Sequence, residues 1–141
     1  MKVFGIGCTH GKLPDISDFL RKNKIETILS LGDHCNGDEV RDINFRNWER
    51  FKGRKYYEVM RELLDKEYLP TFQRFSESGK NILESLDQLG FPVLAVQGNN
   101  DFTKRDKERS QLDLVAYEDI CKDISCRWRE DDRKAAPRIS L

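Results

Sequence analysis

Residues 3–11 read VFGIGCTHG, residues 27–34 read TILSLGDH, and residues 92–101 read PVLAVQGNND. In each stretch a short apolar run gives way to a glycine and then to polar side chains. Short runs of this composition predict β-strands. Because the carboxyl ends of parallel strands open on one edge of a sheet, loops far apart in the sequence can meet there on one ligand. The three polar clusters are therefore predicted to converge.

The segment between the first two strands has the spacing of a helix. Apolar Ile16, Phe19 and Leu20 fall on one helical face, so residues 2–31 predict a β-α-β unit. Such units cross over right-handed in nearly all cases, which makes the two strands parallel neighbours.

A long helical region is predicted between the second and third strands. Apolar side chains recur every three or four positions through residues 44–89, with breaks predicted at Gly53 and Pro70. Gly90 is a typical helix end. The continuous apolar run at residues 93–96 predicts a strand buried on both faces.

The regular spacing of apolar residues becomes weaker after the third polar cluster. Leu112 and Ala116 indicate one more amphipathic helix, and the charged run at residues 127–134 is interpreted as a solvated surface. Residues 137–141 are interpreted as the opening of a strand. These elements predict an α/β fold, a parallel or mixed sheet flanked by helices, in one domain that spans residues 1–141 and is incomplete.

Composition excludes two classes of protein. The 25 Lys and Arg residues balance the 25 Asp and Glu residues, so the chain lacks the basic footprint of a dedicated nucleic-acid binder. The N-terminal apolar run is too short for a secretory signal, and no run approaches the ~18 apolar residues that span a bilayer. The prediction is a cytoplasmic protein without membrane association, whose four cysteines are thiols rather than a disulfide framework.

The polar clusters carry side chains suited to metal binding. The imidazole of His10, the carboxylate of Asp33 and the amide oxygen of Asn99 are ligands for divalent cations. Each has a structural alternative: His10 as a hydrogen-bonded polar residue, Asp33 as a cap of the next segment, and Asn99 as a turn residue. His34 is interpreted as a loop side chain at the rim, with a role as replacement ligand or substrate contact as the alternative.

The order of these motifs resembles the calcineurin-like metallophosphoesterase superfamily. The usual family motifs are Asp-x-His-Gly, Gly-Asp and Gly-Asn-His-Asp; this chain has Cys-Thr-His-Gly at 8–11, Gly-Asp at 32–33 and Gly-Asn-Asn-Asp at 98–101. The resemblance covers residues 1 to about 102. It implies an α/β sandwich that holds two divalent metal ions, typically manganese, iron, zinc or nickel.

The resemblance also implies roles for individual residues. His10 corresponds to a ligand of the first metal, Asp33 to the ligand that bridges both metals, and Asn99 to a ligand of the second metal that also contacts phosphate. Cys8 occupies the position of the first aspartate and is counted among the metal ligands. Asp101 corresponds to the acid that orients the residue before it, so Asn99 and Asp101 are the predicted catalytic residues.

The sequence departs from the family pattern in its ligands. A thiolate at Cys8 suits a borderline metal such as zinc but cannot offer two oxygens to two hard ions. Asn100 replaces a histidine, and an amide cannot donate a proton at neutral pH. The later histidine motifs have no counterpart, because His10 and His34 are the only histidines. We expect a truncated chain, a degenerate paralogue or a site completed by another chain, and self-association would follow from an unfinished sheet.

Two functions are predicted. The first is metal-dependent hydrolysis of a phosphomonoester or phosphodiester by metal-activated water at a dinuclear site, with a small-molecule or nucleotide phosphoester as substrate. The alternative is a truncated or degenerate relative without catalysis that serves binding or scaffolding. A metal-free nucleotide-binding module is disfavoured, because Gly5 and Gly7 lack the third glycine of the dinucleotide fingerprint.

Overall fold

Three parallel strands form the sheet, in the order β1 (Val3–Ile6), β2 (Thr27–Ser30) and β3 (Val93–Ala95). The computed structural model describes the backbone of residues 1–135 and the side chains of residues 1–126. Ile28 is the register partner of Phe4 on one side and of Val93 on the other. The predicted α/β fold is confirmed, and β1 and β2 are parallel neighbours as expected; of the two sheet types left open, the described sheet is the parallel one.

Helices connect the strands. Their bounds are α1 (Ser17–Lys22), α2 (Asp38–Arg46), α3 (Trp48–Phe51), α4 (Tyr56–Leu64), a 3-10 turn at Asp65–Glu67, α5 (Tyr68–Asp87), α6 (Lys104–Ser110) and α7 (Tyr117–Ala135). No helix among the described residues is long and apolar enough to cross a membrane.

The predicted helix breaks have mixed outcomes. Gly53 lies between α3 and α4, as expected, and Gly90 follows α5 with a φ of 78°. The break predicted at Pro70 is wrong, because Pro70 lies in the first turn of α5, where a backbone N–H has no partner within the helix. The chain changes direction instead at Asp65, whose φ is 45°.

Two helices follow β3 where one was predicted. α6 was missed because it carries mostly charged residues, although its start has a sequence signature. Thr103 and Asp106 form a capping box in which each side chain bonds the other's backbone N–H. Leu112 and Ala116 precede α7 rather than belonging to it. The strand predicted at residues 137–141 lies outside the described residues.

The main core lies between one face of the sheet and helices α1, α5 and α7. Ile28 and Val93 are fully buried there. The other buried members of this cluster are Leu20, Cys35, Ile82, Leu83, Leu86, Tyr117, Ile120, Cys121 and Ile124. A second cluster joins α4, α5 and the segment before α6, through Met60, Tyr68, Phe72 and Phe102. Phe102 follows the third polar cluster directly, so its burial anchors that loop.

The opposite face of the sheet is open to solvent. Val3 is 46% exposed, Leu31 52%, Leu94 45% and Val96 52%. The prediction that residues 93–96 are buried on both faces is therefore wrong. The core helices α1, α5 and α7 pack on the Ile28 face of the sheet. An apolar run in the sequence does not reveal whether a second layer of helices covers the opposite face.

Candidate functional site

The first two loops continue the pairing of the strands from which they emerge. Beyond β1 and β2, the Cys8 amide donates to the Gly32 carbonyl at 3.0 Å and the His10 amide donates to the Asp33 carbonyl at 3.1 Å. These bonds fix residues 8–10 beside residues 32–33. The predicted convergence of the first two polar clusters is thus built from backbone hydrogen bonds.

Two glycines bring the third loop against the second. A Cβ atom built on Gly32, whose φ is +80°, would lie 2.1 Å from the Gly98 amide nitrogen. A Cβ atom on Gly98 would lie 2.2 Å from Oδ1 of Asp33. Real side chains do not tolerate such separations, so the two backbones touch only because both residues are glycine.

Asp101 ties the same two loops together with its carboxylate. Oδ2 accepts from the amides of Asp33 at 2.9 Å and Gly98 at 2.7 Å, while Oδ1 accepts from the amides of His34 at 2.9 Å and Cys35 at 3.1 Å. The residue is 2% exposed. Four amide donors satisfy a buried negative charge that would otherwise be strongly unfavourable.

Asp33 returns this interaction. Its Oδ1 accepts from the Asn100 backbone amide at 2.7 Å, so each loop has one carboxylate bound to the backbone of the other. The carboxylate does not cap α2, since the N-cap position of that helix is Gly37 and no side chain caps it. The structural alternative for Asp33, a cap of the next segment, is therefore wrong, because its carboxylate binds the backbone of the third loop.

A thiol and an amide lie against the Asp33 carboxylate. Sγ of Cys8 is 3.8 Å from Oδ2, and one terminal atom of the Asn99 amide is 3.1 Å from Oδ2 and 3.3 Å from Oδ1. With its nitrogen at that position, Asn99 donates to the carboxylate.

Three of the predicted ligands have left-handed backbone conformations. Cys8, His10 and Asp33 have φ values of 53°, 46° and 58°. The other described non-glycine residues with positive φ are Lys24, Asp65 and Gln111. Lys24 follows the end of α1, Gln111 is the left-handed C-cap of α6, and Asp65, with a ψ of −110°, joins α4 to the 3-10 turn. No helix end explains the first three. Strained residues held by their surroundings concentrate at functional sites.

His34 is buried behind the site, and the interpretation of a rim histidine is wrong. Its side chain is 0% exposed. Nδ1 is 2.7 Å from Oγ1 of Thr9, and Nε2 is 2.6 Å from Oγ of Ser30. Burial lowers the pKa of His34, while the negative charges of Asp101 and Asp33 oppose that shift and His10 adds to it. Both ring nitrogens are engaged, so His34 cannot replace a ligand.

Cys35 is the second buried group behind the loops. Burial, with the Asp101 charge, raises the pKa of its thiol to about 12. A Cβ atom on Gly79, in the middle of α5, would lie 2.4 Å from Sγ of Cys35. The sequence signal for this contact is a glycine inside an apolar helical pattern, which is unfavourable for the helix and needs a packing reason.

The candidate donors gather around the Asp33 carboxylate. Cys8 and Asn99 each lie close to it, and His10 lies in the same loop as Cys8. Among the described residues, no three His, Cys, Asp or Glu side chains converge as a metal-ligand set. The family resemblance implies two metals, and the described residues do not show a complete ligand set for either.

A separate cavity lies away from these loops. It has a volume of about 730 Å³ and is lined by residues of α4 and α6 with their flanking positions, including Tyr56, Tyr57, Arg61 and Arg109. None of its lining residues belongs to the three polar clusters.

Comparison with known proteins agrees with the fold and the motif order. The family model for calcineurin-like phosphoesterases matches residues 1–133. Neither the curated proteins nor the solved structures contain a significant match to this sequence. Since the family match spans nearly all of the 141 residues, including the three loops, the chain belongs to the calcineurin-like phosphoesterase family.

Proposed function

We propose that this chain is a metal-dependent phosphoesterase that hydrolyses a phosphomonoester or phosphodiester of a small molecule or nucleotide. Two carboxylate–backbone bonds between the second and third loops support this best: Asp101 accepts from the Asp33 amide, and Asp33 accepts from the Asn100 amide. These hydrogen bonds hold the Asp33 carboxylate against a thiol and an amide at the strand ends. The loops also contain strained backbone conformations, which a merely structural loop does not require. We assign metal binding to Cys8, His10, Asp33 and Asn99.

The residues around the site have distinct tasks. Asp33 supplies negative charge to hold a divalent cation, and Asn99 is placed to contact a phosphoryl oxygen through its amide. Asp101 acts as a positioning residue, because its carboxylate oxygens already accept hydrogen bonds from the backbone amides of the Asp33 and Gly98 loops. A bound divalent cation supplies a water of lowered pKa and positive charge opposite the phosphoryl oxygens.

No proton donor is provided by Asn100. Its side-chain amide is not an acid at neutral pH, and its backbone amide is bonded to Asp33. We therefore expect no protonation of the leaving group by Asn100. We expect substrates with acidic leaving groups, such as nitrophenyl phosphates, to react faster than alkyl phosphates.

The test is metal binding and turnover of 4-nitrophenyl phosphate and bis(4-nitrophenyl) phosphate by metal-depleted protein reloaded with Mn²⁺ or Zn²⁺. Asp33→Asn should reduce turnover at least about 100-fold, because it removes charge from the cation site. Asp38→Asn is the matched control, since Asp38 is an exposed carboxylate paired with Arg41 in the first turn of α2. Absence of turnover with every metal, or equal rates in the two variants, would contradict the proposal.

A second candidate is a non-catalytic relative that binds a phosphoester or serves as a scaffold. It is favoured by one observation: the described residues do not bring three charged or imidazole ligands together. This alternative predicts binding of a phosphoester, measured by calorimetry, without turnover. We infer a cytoplasmic location for either function.

A further inference from the structure

We propose that the cavity between α4 and α6 binds an organic anion with a planar aromatic body, of the nucleotide class, at a site separate from the three polar loops. The cavity has a volume of about 730 Å³, and its lining includes Tyr56, Tyr57, Arg61 and Arg109. Sites for small molecules usually have volumes of roughly 300 to 1,000 Å³. This inference goes beyond the proposed function and does not depend on it.

Two side-chain bridges hold the walls of the cavity together. The hydroxyl of Tyr57 on α4 donates to Oδ1 of Asp106 on α6 at 2.7 Å. Nη2 of Arg61 on α4 donates to the carbonyl of Ser110 at 3.1 Å. Because Asp106 lies in the first turn of α6 and Ser110 is its last residue, the two helices are joined near both ends of α6. The cavity is therefore formed before a ligand enters, which lowers the ordering cost of binding.

The acidic side chains of the lining already have partners. Oε1 of Glu58 lies 3.3 Å from Nζ of Lys55. Asp106 accepts from the Tyr57 hydroxyl through Oδ1 and from the amide and hydroxyl of Thr103 through Oδ2. Burial, together with the hydrogen bond to Asp106, raises the pKa of Tyr57, so its hydroxyl stays neutral. The lining thus leaves little free negative charge to repel an anion.

Two guanidinium groups of the lining have no carboxylate partner in the part of the chain that the structure describes. Arg61 donates to two neutral oxygens, the Ser110 carbonyl and, at 3.3 Å, Oε1 of Gln111. Its Cζ also lies 5.2 Å from the centroid of the Tyr68 ring. Arg109 is exposed on α6 and forms no ion pair with a described residue. Since guanidinium groups bind phosphate through paired N–H donors, the lining suits a phosphate group.

Aromatic rings provide a wall for the body of the ligand. The rings of Tyr56 and Tyr57, both half-buried, meet edge to face with their centroids 4.9 Å apart. Tyr56 also stacks on Phe51 at 5.5 Å, so both rings are held in place by their neighbours. Tyrosine rings stack on nucleobases, and arginine adds cation–π attraction. The combination of rings and guanidinium groups favours a nucleotide over inorganic phosphate, which gains nothing from an aromatic wall.

Calorimetry on the metal-depleted full chain tests the inference, with adenosine monophosphate, adenosine and inorganic phosphate as probes. We expect adenosine monophosphate to bind at least about tenfold more tightly than either of the others, because it alone can contact both the rings and the guanidinium groups. Arg109→Ala should weaken this binding at least about fivefold. Arg105→Ala is the matched control, since Arg105 is an exposed arginine of the same helix outside the lining. Equal affinity for adenosine monophosphate and inorganic phosphate, or an equal loss in the two variants, would overturn the inference.

A second measurement locates the ligand on the wild-type chain and needs no variant. In nuclear magnetic resonance spectra, adenosine monophosphate should shift the amide signals of residues 55–61 and 106–111 and leave those of residues 8–11 and 98–101 in place. Shifts confined to the strand-end loops would overturn this inference and leave the proposed function standing. Binding at the cavity by a chain that hydrolyses no phosphoester would reject only the proposed catalysis.

Discussion

Asp101 binds the backbone of Asp33 across 68 positions of sequence, with 2.9 Å between Oδ2 and the Asp33 amide nitrogen. Asp33 in turn accepts from the amide of Asn100. The two loops are therefore held as one unit, and the orientation of the candidate ligand Asp33 depends on a carboxylate that is itself buried. Four predictions follow from this arrangement and from the packing around it.

Asp101→Asn should destabilise the fold strongly. The substituted amide would present an N–H group to backbone amides that now donate to a carboxylate, and charge-assisted bonds contribute roughly 1.5 to 3 kcal/mol each. We expect a loss of about 3 kcal/mol or more in the free energy of unfolding, measured by urea denaturation. Asp38→Asn, on an exposed carboxylate, should change it by less than about 0.5 kcal/mol. Equal effects would show that the Asp101 bonds contribute nothing to stability.

Gly32→Ala should cost more than Gly90→Ala, although the backbone conformations match. Their φ values are +80° and +78°, but a Cβ on Gly32 meets Gly98 at 2.1 Å and one on Gly90 has no atom within 4 Å. Gly90→Ala should cost about 1 kcal/mol for left-handed strain alone, and Gly32→Ala at least about 2 kcal/mol more from overlap. Thermal melting of both variants measures the difference, and similar melting temperatures would refute the contact.

The four cysteines should fall into two classes of reactivity in the native, metal-free chain. Cys8 and Cys126 are exposed, and Cys35 and Cys121 are buried. Burial also raises the pKa of Cys121 to about 12, which leaves little of the reactive thiolate at neutral pH. Alkylation followed by mass spectrometry should therefore modify two sites quickly, and two only after urea is added. Rapid native labelling of Cys121 would contradict its burial.

The exposed face of the sheet should cause self-association with a second copy of the chain. Contiguous apolar side chains of a parallel sheet are normally covered. Leu94→Lys should lower the sedimentation coefficient at high protein concentration toward that of a monomer. Leu69→Lys is the control, because Leu69 on α5 is 48% exposed against 45% for Leu94 but lies off the sheet. A wild-type monomer at every concentration, or identical behaviour of both variants, would argue against association through this face.

Much of the fold could be predicted because its signals are local. The runs at β1, β2 and β3 show their strand character within a few residues, whereas the local signal of the mostly charged α6 is confined to its capping box. Pro70 shows that a local sequence signal can also be misleading. A proline breaks a helix or opens one depending on which turn it occupies, and that is decided by where the helix begins, here at Tyr68 after the 3-10 turn Asp65–Glu67.

The meeting of the polar clusters could be predicted for the same reason. Cys8, Asp33 and Asn99 follow strand ends, so parallel pairing alone brings them to one edge. His34 could not be assigned in this way. Its burial depends on hydroxyl groups of Thr9 and Ser30, one of which comes from a loop 25 positions away, and sequence spacing carries no information about which side of a loop faces the core.

The sequence by itself determined the strands, their parallel order and the meeting of three polar clusters, because hydrophobic periodicity and the geometry of β-α-β crossovers are properties of short segments. Only the tertiary structure decided which side chains reach that edge. The contacts of Asp101 with the Asp33 loop, and of Gly32 with Gly98, join residues more than sixty positions apart, and whether a group is buried or free to bind depends on what packs against it.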